Sequence, residues 1–242
     1  MDARVAPAER LPIAILISGR GSNMRAIAER ARDGRLPVDV RVVVSDQPDA
    51  PGLATAAAMG IPTRTLQARG FRDREAYDAA LAELLASFRP ELIVLAGFMR
   101  ILSPPMVARF AGRMMNIHPS LLPKYPGLHT HRRVLAAGDA VHGASVHFVT
   151  EELDGGPLII QARIDVRAED TEESLSARVQ RQEHRIYPQA IEWFARGRLE
   201  LRPGPGGVQA WLDGRPLAHP VLVDARGVDD CSNSSSASSS VE

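Results

Sequence analysis

Short apolar runs alternate with helical patterns along most of the chain. The run at residues 92–96 is continuous rather than alternating, as is typical of a strand covered by helices on both faces. We predict strands at residues 13–17, 38–44, 61–66, 92–96, 114–117, 144–149 and 158–164. A final strand pair is predicted at residues 199–201 and 207–212, around a turn at Asp213-Gly214.

The helical patterns lie between these runs. One helix is predicted to start with Ser22 or Asn23 as its cap, and a later helix is capped by Asp73, whose carboxylate can accept a hydrogen bond from the first helical turn. Residues 171–195 form the longest helical pattern, in which Pro188 predicts a kink.

Strands that alternate with helices predict an α/β fold. We expect an open, mostly parallel, twisted sheet with helices on both faces. Ligands of such sheets bind beyond the carboxyl ends of the strands. This rule selects the turns that follow Ile17, Ala96, Ile117 and Val149 as candidate sites.

The 242 residues fit one sizeable domain. We expect residues 1–10 to form a flexible leader, residues 11–217 to form the domain, and residues 218–242 to form a disordered tail. The tail prediction rests on the serine-rich run at residues 229–242, which cannot bury apolar area.

Composition and charge are those of an ordinary globular protein. Hydrophobic residues make up 45% of the chain and charged residues 24%, and 29 Lys and Arg balance 29 Asp and Glu. A balanced charge gives no field that attracts nucleic acid or a membrane surface, and no apolar run suits a secretion signal or a membrane span. We therefore expect a cytoplasmic protein with no nucleic-acid or membrane partner. We also expect small-molecule partners and either a monomer or a homodimer.

Cysteine and histidine usage argues against disulfide, thiol and metal chemistry. Cys231 is the one cysteine and falls in the expected tail, so neither a disulfide nor a cysteine nucleophile is expected. A zinc site has to be weighed, because His129, His131, His142 and His147 lie near one another in the sequence. His129 and His131 are two apart in a helical pattern, where side chains diverge. We expect structural histidines and no metal.

A glycine-rich turn joins the first strand to the first helix at residues 19–23, which read Gly-Arg-Gly-Ser-Asn. Unpaired backbone N–H groups at the helix start, together with the helix dipole, form a ready phosphate site. Met24 stands where a dinucleotide-binding turn has its third glycine, and no Gly-Lys-Ser/Thr sequence follows. A phosphate monoester therefore fits best, and a plain tight turn is the alternative.

Residues 96–102, which read Ala-Gly-Phe-Met-Arg-Ile-Leu, place one cation in an apolar loop after a buried strand. Met99, Ile101 and Leu102 can form the walls of a pocket for a flat heterocycle, with backbone groups at the ring edge. The alternative is an ordinary connection with a solvated Arg100.

Asn116 and His118 are two residues apart at the end of a strand, so their side chains lie on the same side. An amide N–H and an imidazolium directed at one oxygen can stabilise an oxyanion. Pro119, Pro123 and Pro126 stiffen the loop that follows, which suits a preorganised site.

Asp154 lies beside two glycines and a proline, between two apolar strands. Its immediate neighbours favour a simple turn. In the company of Asn116 and His118, we favour a buried aspartate that orients His118 or a water molecule and receives a proton.

These segments occur together in the order and spacing of one family. From about residue 13 to residue 217 the chain closely resembles the phosphoribosylglycinamide formyltransferases, a group of folate-dependent formyltransferases. Residues 116–127, which read Asn-Ile-His-Pro-Ser-Leu-Leu-Pro-Lys-Tyr-Pro-Gly, are the most specific segment. The resemblance implies the formyltransferase fold, with a Rossmann-like half at residues 11–110 that holds a ribonucleotide and a half at residues 111–217 that holds the folate and the catalytic groups.

The resemblance also implies the reaction. The formyl group of 10-formyltetrahydrofolate, a co-substrate, passes to the amine of glycinamide ribonucleotide, a step of purine synthesis. The implied ribonucleotide contacts are Gly21, Ser22, Asn23 and Glu183. The implied folate contacts are Arg74, Met99, Arg100, Ile101, Leu102, Asn116, Thr150, Glu151, Glu152, Leu153 and Asp154.

We expect catalysis by direct attack of the amine on the formyl carbon. Asn116 and His118 would stabilise the oxyanion that forms, because donors fixed in place act most strongly where charge develops. Asp154 would keep His118 protonated and assist proton transfer.

Three alternatives stay open. A formyltetrahydrofolate hydrolase would use the same groups with water as the acceptor; it usually carries an N-terminal regulatory domain, whereas a short leader is expected here. A methionyl-tRNA formyltransferase needs a basic C-terminal RNA-binding domain, and the residues after 200 are few and weakly charged. An NAD-binding oxidoreductase would use the glycine turn alone; Asp46 favours it and Met24 opposes it.

Overall fold

A computed structural model describes residues 10–225 of the chain. Eleven strands and six helices follow one another within these residues. The strands are β1 (Leu11–Ile17), β2 (Val38–Ser45), β3 (Thr63–Thr65), β4 (Leu92–Leu95), β5 (Met114–His118), β6 (Val141–Phe148), β7 (Leu158–Asp165), β8 (Leu199–Gly204), β9 (Gly207–Leu212), β10 (Arg215–Pro216) and β11 (Val221–Asp224). The helices are α1 (Ser22–Arg32), α2 (Pro51–Ala58), α3 (Arg74–Ser87), α4 (Pro104–Arg109), α5 (Thr130–Ala137) and α6 (Glu172–Ala195).

Eight strands form one sheet in the order β11-β7-β6-β5-β4-β1-β2-β3. Every neighbouring pair is parallel except those that β6 makes with β5 and β7. The mostly parallel sheet predicted from the sequence is therefore confirmed. The strand order reverses between β1 and β4, and at such a point the loops that follow the two strands diverge and leave a crevice for ligands.

Helices cover both faces of this sheet, as predicted. Ile13 and Ile15 of β1 lie in a core that also contains buried side chains of α1, α2, α5 and α6. Ala14 and Leu16 point to the other face, into a core shared with α3 and α4. Because successive side chains of a strand alternate between faces, the continuous apolar runs supply both cores.

Of the two predicted helix caps, one is confirmed and one is wrong. Asp73 caps α3 as predicted, and its Oδ1 accepts the backbone N–H of Ala76 at 2.7 Å. The cap of α1 is Gly21, with φ at 69°, so the predicted cap at Ser22 or Asn23 is wrong. A left-handed residue at this point is most easily supplied by glycine, which has no Cβ to clash.

The end of the domain also differs from the prediction. The expected tail from residue 218 is corrected at β11, which pairs in parallel with β7 at the edge of the sheet. Val221 and Val223 are half-buried there, whereas Leu222 and Asp224 are exposed. This alternation is typical of an edge strand with one covered face. Residues 1–9 of the expected leader and residues 226–242 of the expected tail lie outside the described residues.

The predicted strand pair near the end is a second, three-stranded sheet with the order β10-β9-β8. The Asp213-Gly214 turn joins β9 to β10, whereas Pro205 and Gly206 lie between β8 and β9. None of the helices in the described part of the chain is long and apolar enough to cross a membrane.

Candidate functional site

Three adjoining cavities lie where β1, β4 and β5 end. The turns after Ile17, Ala96 and Ile117 meet there, as the rule for parallel sheets predicts. The segment after Val149 reaches the same place by another route, because β6 runs antiparallel to β5. It folds back toward the site, and the Gly127 N–H donates to Asp154 Oδ2 at 2.8 Å.

The turn cavity, of about 390 Å³, is formed by residues 18–23 together with the loop after β4 and one face of α6. Gly21, Ser22, Asn23 and Glu183, which were predicted to act together, all line it. Gly21 has to be a glycine, since φ is 69° and a Cβ would lie 3.0 Å from the Cα of Gly52. The start of α1 therefore faces this cavity.

Glu183 is the buried acid of the turn cavity. Asn23 Nδ2 donates to Glu183 Oε2 at 2.8 Å, which joins α1 to α6. Burial raises the pKa of Glu183 above its usual range, and the hydrogen bond from Asn23 partly opposes that rise. Ser176 and Gln180 line the same cavity and were missed. Their spacing from Glu183 is that of one helix face, and this periodicity could have found them.

The loop cavity, of about 100 Å³, lies between residues 98–102 and residues 149–154. The two segments were predicted to act together, and every predicted folate residue within them except Met99 lines this cavity. Met99 is 66% exposed and lines the other two cavities. Arg74 is exposed at the first position of α3 and lines none of the three cavities, so its assignment stays a prediction.

Arg100 is held against the protein rather than freely solvated. Its guanidinium lies 4.5 Å from the centre of the Tyr77 ring, a cation–π contact. The Nε atom is buried and has no hydrogen-bond partner among the described residues. The arginine of the apolar loop therefore forms part of the cavity wall.

The central cavity, of about 420 Å³, connects the other two. Asn116, His118 and Asp154, the three predicted catalytic residues, all line it. Asn116 and Asp154 also line the loop cavity. The structure thus brings the predicted reacting centre between the two predicted binding sites.

The Asn116 amide is oriented by His147, one of the histidines predicted to be structural. His147 Nδ1 lies 2.8 Å from the carbonyl oxygen of Phe148, which can only accept, so Nδ1 carries the proton. Burial lowers the pKa of His147, which favours the neutral ring. Its Nε2 is then an acceptor for Asn116 Nδ2 at 3.2 Å. One amide hydrogen is committed to His147, and the second remains for a ligand.

His118 is fixed in a similar way. Its Nε2 donates to the carbonyl oxygen of Tyr125 at 2.9 Å. Its Nδ1 lies 3.4 Å from Asp154 Oδ2, and both side chains are less than 10% exposed. The sequence predicts an imidazolium N–H directed at a ligand, and only Nδ1 is left for that role, because Nε2 is bonded to the Tyr125 carbonyl.

Asp154 is both a turn residue and a buried acid. Its φ is 54°, in the left-handed region that an aspartate tolerates in turns. Its Oδ1 lies 3.8 Å from His147 Nε2, and its Oδ2 faces His118 and the Gly127 N–H. The turn conformation directs the carboxylate between the two histidines.

Two of the other histidines, His131 and His142, form a pair. His131 Nδ1 lies 3.0 Å from His142 Nε2, and the rings meet edge to face. Burial lowers the pKa of both, that of His142 to about 3. Residues 10–225 contain no group of three or more side chains arranged to hold a metal ion. His129 is the N-terminal cap residue of α5, with φ at 57°.

Comparison with known proteins agrees with this site. Residues 11–191 match the formyl transferase family. The phosphoribosylglycinamide formyltransferase of Escherichia coli (strain K12) is 55% identical over 205 residues, which cover 85% of this chain and 95% of that protein. The structure of phosphoribosylglycinamide formyltransferase from Coxiella burnetii has a TM-score of 0.83 and 48% identity, covering 88% of this chain and 100% of that one.

A hydrolytic relative is more distant. The structure of formyltetrahydrofolate deformylase from Burkholderia mallei has a TM-score of 0.72 and 30% identity, covering 78% of this chain and 66% of that one. The α/β fold and the family predicted from the sequence are both confirmed. This chain belongs to the formyl transferase family of enzymes, whose members use a formyl-folate as co-substrate.

Proposed function

We propose that this chain transfers the formyl group of 10-formyltetrahydrofolate to the amine of glycinamide ribonucleotide. The observation that carries the proposal is the central cavity, which places Asn116, His118 and Asp154 between two separate binding cavities. A transferase needs two sites that meet, since much of its rate comes from holding two reactants together.

The turn cavity suits the ribonucleotide. Its phosphate can accept hydrogen bonds from the N–H groups at the start of α1, where the helix dipole favours an anion. Arg20 lines the same cavity and adds a positive charge. The 55% identity to the Escherichia coli phosphoribosylglycinamide formyltransferase supports this choice of acceptor.

The loop cavity suits the folate ring. Leu95, Phe98 and Leu102 supply apolar walls, and residues 150–154 supply backbone groups at its edge. A ring held there directs the formyl group toward Asn116 and Asp154, which line both this cavity and the central one.

Two donors can stabilise the oxyanion that forms when the amine attacks. Asn116 offers the amide hydrogen that His147 does not use. His118 Nδ1 lies 3.4 Å from Asp154 Oδ2, too long for a good hydrogen bond, so a hydrogen carried by Nδ1 can be donated to a ligand. Hydrogen bonds to other protein groups fix both side chains, so they need little reorganisation during the reaction. Each such donor typically stabilises the transition state by roughly 3–4 kcal/mol.

The chemical steps balance without a covalent enzyme intermediate. The neutral amine nitrogen forms a bond to the formyl carbon, and the carbonyl electron pair moves to oxygen. The new nitrogen centre loses a proton, which Asp154 receives directly, through His118 or through water, and N10 of the folate gains one. The electron pair on the oxygen then re-forms the carbonyl, and the bond from carbon to N10 breaks with its electrons left on N10, which yields formylated ribonucleotide and tetrahydrofolate.

Hydrolysis of formyl-folate is the second candidate, favoured by the 30% identity to a deformylase. The two reactions differ in the acceptor, so a product assay separates them. We expect the purified chain to release tetrahydrofolate only when glycinamide ribonucleotide is present, with one formylated ribonucleotide per tetrahydrofolate. Release of formate at the same rate without the ribonucleotide would establish the hydrolase instead.

A further inference from the structure

The turn cavity and the central cavity meet at a junction formed by residues that line both. These are Gly97, Met99, Ile117, Pro119 and His131. Among these described residues, His131 alone has a polar side chain with strong hydrogen-bonding groups. A ligand that extends from the start of α1 to the reacting centre passes through this junction.

His131 is fixed by its position at the start of α5 and by a contact with His142. It is the second residue of α5, after Thr130, whose Oγ1 donates to the carbonyl oxygen of Pro119 at 2.7 Å. Its Nδ1 lies 3.0 Å from Nε2 of His142, a residue of β6 that is 1% exposed. Because Nδ1 is engaged by His142, Nε2 is the ring nitrogen with which His131 can bind a ligand.

Through His131 Nε2, the His131–His142 pair can offer a ligand either a hydrogen-bond donor or an acceptor. Burial lowers the pKa of His131 and of His142, so both rings are neutral at neutral pH and one hydrogen lies between them. If His142 donates that hydrogen, His131 Nε2 carries a proton and donates to the ligand. If His131 donates it, Nε2 accepts. A hydroxyl group is the partner that suits both states, since it both donates and accepts.

We propose that His131, oriented by His142, is a positioning residue that hydrogen-bonds a sugar hydroxyl of the ribonucleotide. The inference rests on the proposed function. In that substrate the sugar lies between the phosphate, assigned to residues 21–23, and the amine, assigned to the reacting centre. The sugar therefore occupies the junction at which His131 is the polar group.

Two substitutions at one position test the inference. His131→Phe keeps a ring but removes both nitrogens, whereas His131→Gln places a polar group near the position of Nε2. We expect His131→Phe to weaken binding of glycinamide ribonucleotide and of ribose 5-phosphate by about three- to tenfold, the range for one hydrogen bond. His131→Gln should recover most of that loss. Binding of 5,8-dideazafolate should change less than about twofold in both variants, as for distant contacts.

Calorimetric titration of each folded variant supplies the binding constants. The exposed His219, which lines neither the turn cavity nor the central cavity, supplies the control as His219→Phe. Unchanged ribonucleotide binding in His131→Phe, or an equal loss for the folate analogue, would overturn the inference. A loss for the ribonucleotide but not for ribose 5-phosphate would also overturn it, since the contact would then be to the amide. Formyl transfer by the wild-type chain is measured in parallel, so failure of the proposed function is seen separately.

Discussion

The replacement Asp154→Asn tests how the acid of the reacting centre works. The carboxylate faces His118 Nδ1 at 3.4 Å and accepts the Gly127 N–H at 2.8 Å. An asparagine keeps the volume and an oxygen for the Gly127 contact, so the loop geometry should survive. It removes the negative charge that faces His118 and the proposed acceptor of the amine's proton.

The size of the effect follows from this contact. Two unit charges at about 4 Å interact by roughly 4 kcal/mol at an effective dielectric constant of about 20. If that interaction is lost in the transition state, kcat falls by about three decades. Steady-state kinetics at one pH should show this fall while the KM values of both substrates change by less than about threefold.

His118→Ala and the double variant complete the experiment. If Asp154 and His118 act as one unit, as we propose, the double variant should be only slightly slower than either single variant. Asp213→Asn, which removes a carboxylate from an exposed ion pair with Arg198, is the matched control and should keep full activity. An active Asp154→Asn enzyme, or losses that simply add in the double variant, would show that Asp154 is only a turn residue.

Three further predictions concern the binding sites and stability. Gly21→Ala should lower the free energy of unfolding in urea by about 1–2 kcal/mol, because φ is 69° and Gly52 is close, whereas Gly19→Ala, with open space around it, should have little effect; equal effects would contradict the geometry. Saturating 5,8-dideazafolate should raise Tm without ribonucleotide present, because a ligand at 100 times its Kd raises the free energy of unfolding by about 2.7 kcal/mol. A rise in Tm with NAD but not with the folate analogue would favour an oxidoreductase. Burial lowers the pKa of His142 to about 3, so below pH 6.5 the unfolded chain binds more protons than the folded chain. His142 should therefore lower the free energy of unfolding by about 2 kcal/mol between pH 7 and pH 5. His142→Gln should remove this contribution, and an unchanged pH dependence in that variant would refute the prediction.

The sheet and the cluster of site residues could be predicted because they rest on local patterns. Apolar runs such as residues 92–96 mark strands that are covered on both faces, and turns at strand ends meet at one edge of a parallel sheet. The edge strand β11 was missed because its four residues alternate between half-buried and exposed. The antiparallel direction of β6 could not be predicted either, since the residues of a strand do not determine whether it pairs parallel or antiparallel with its neighbours.

The orienting contacts of the site could not be predicted for a different reason. His147 binds Asn116 because β5 and β6 pair in a register that places these two residues opposite each other. Tyr125 holds His118 through a backbone carbonyl, a group that every residue has. Such contacts depend on register and loop conformation, which a single sequence expresses only weakly.

A crystal structure with glycinamide ribonucleotide and 5,8-dideazafolate bound together tests the proposed function at the level of the site. We predict the phosphate on the N–H groups of residues 21–23, the folate ring between residues 98–102 and residues 149–154, and the amine beside Asn116 and His118. A phosphate bound elsewhere, or two ligands that do not meet in the central cavity, would contradict the account.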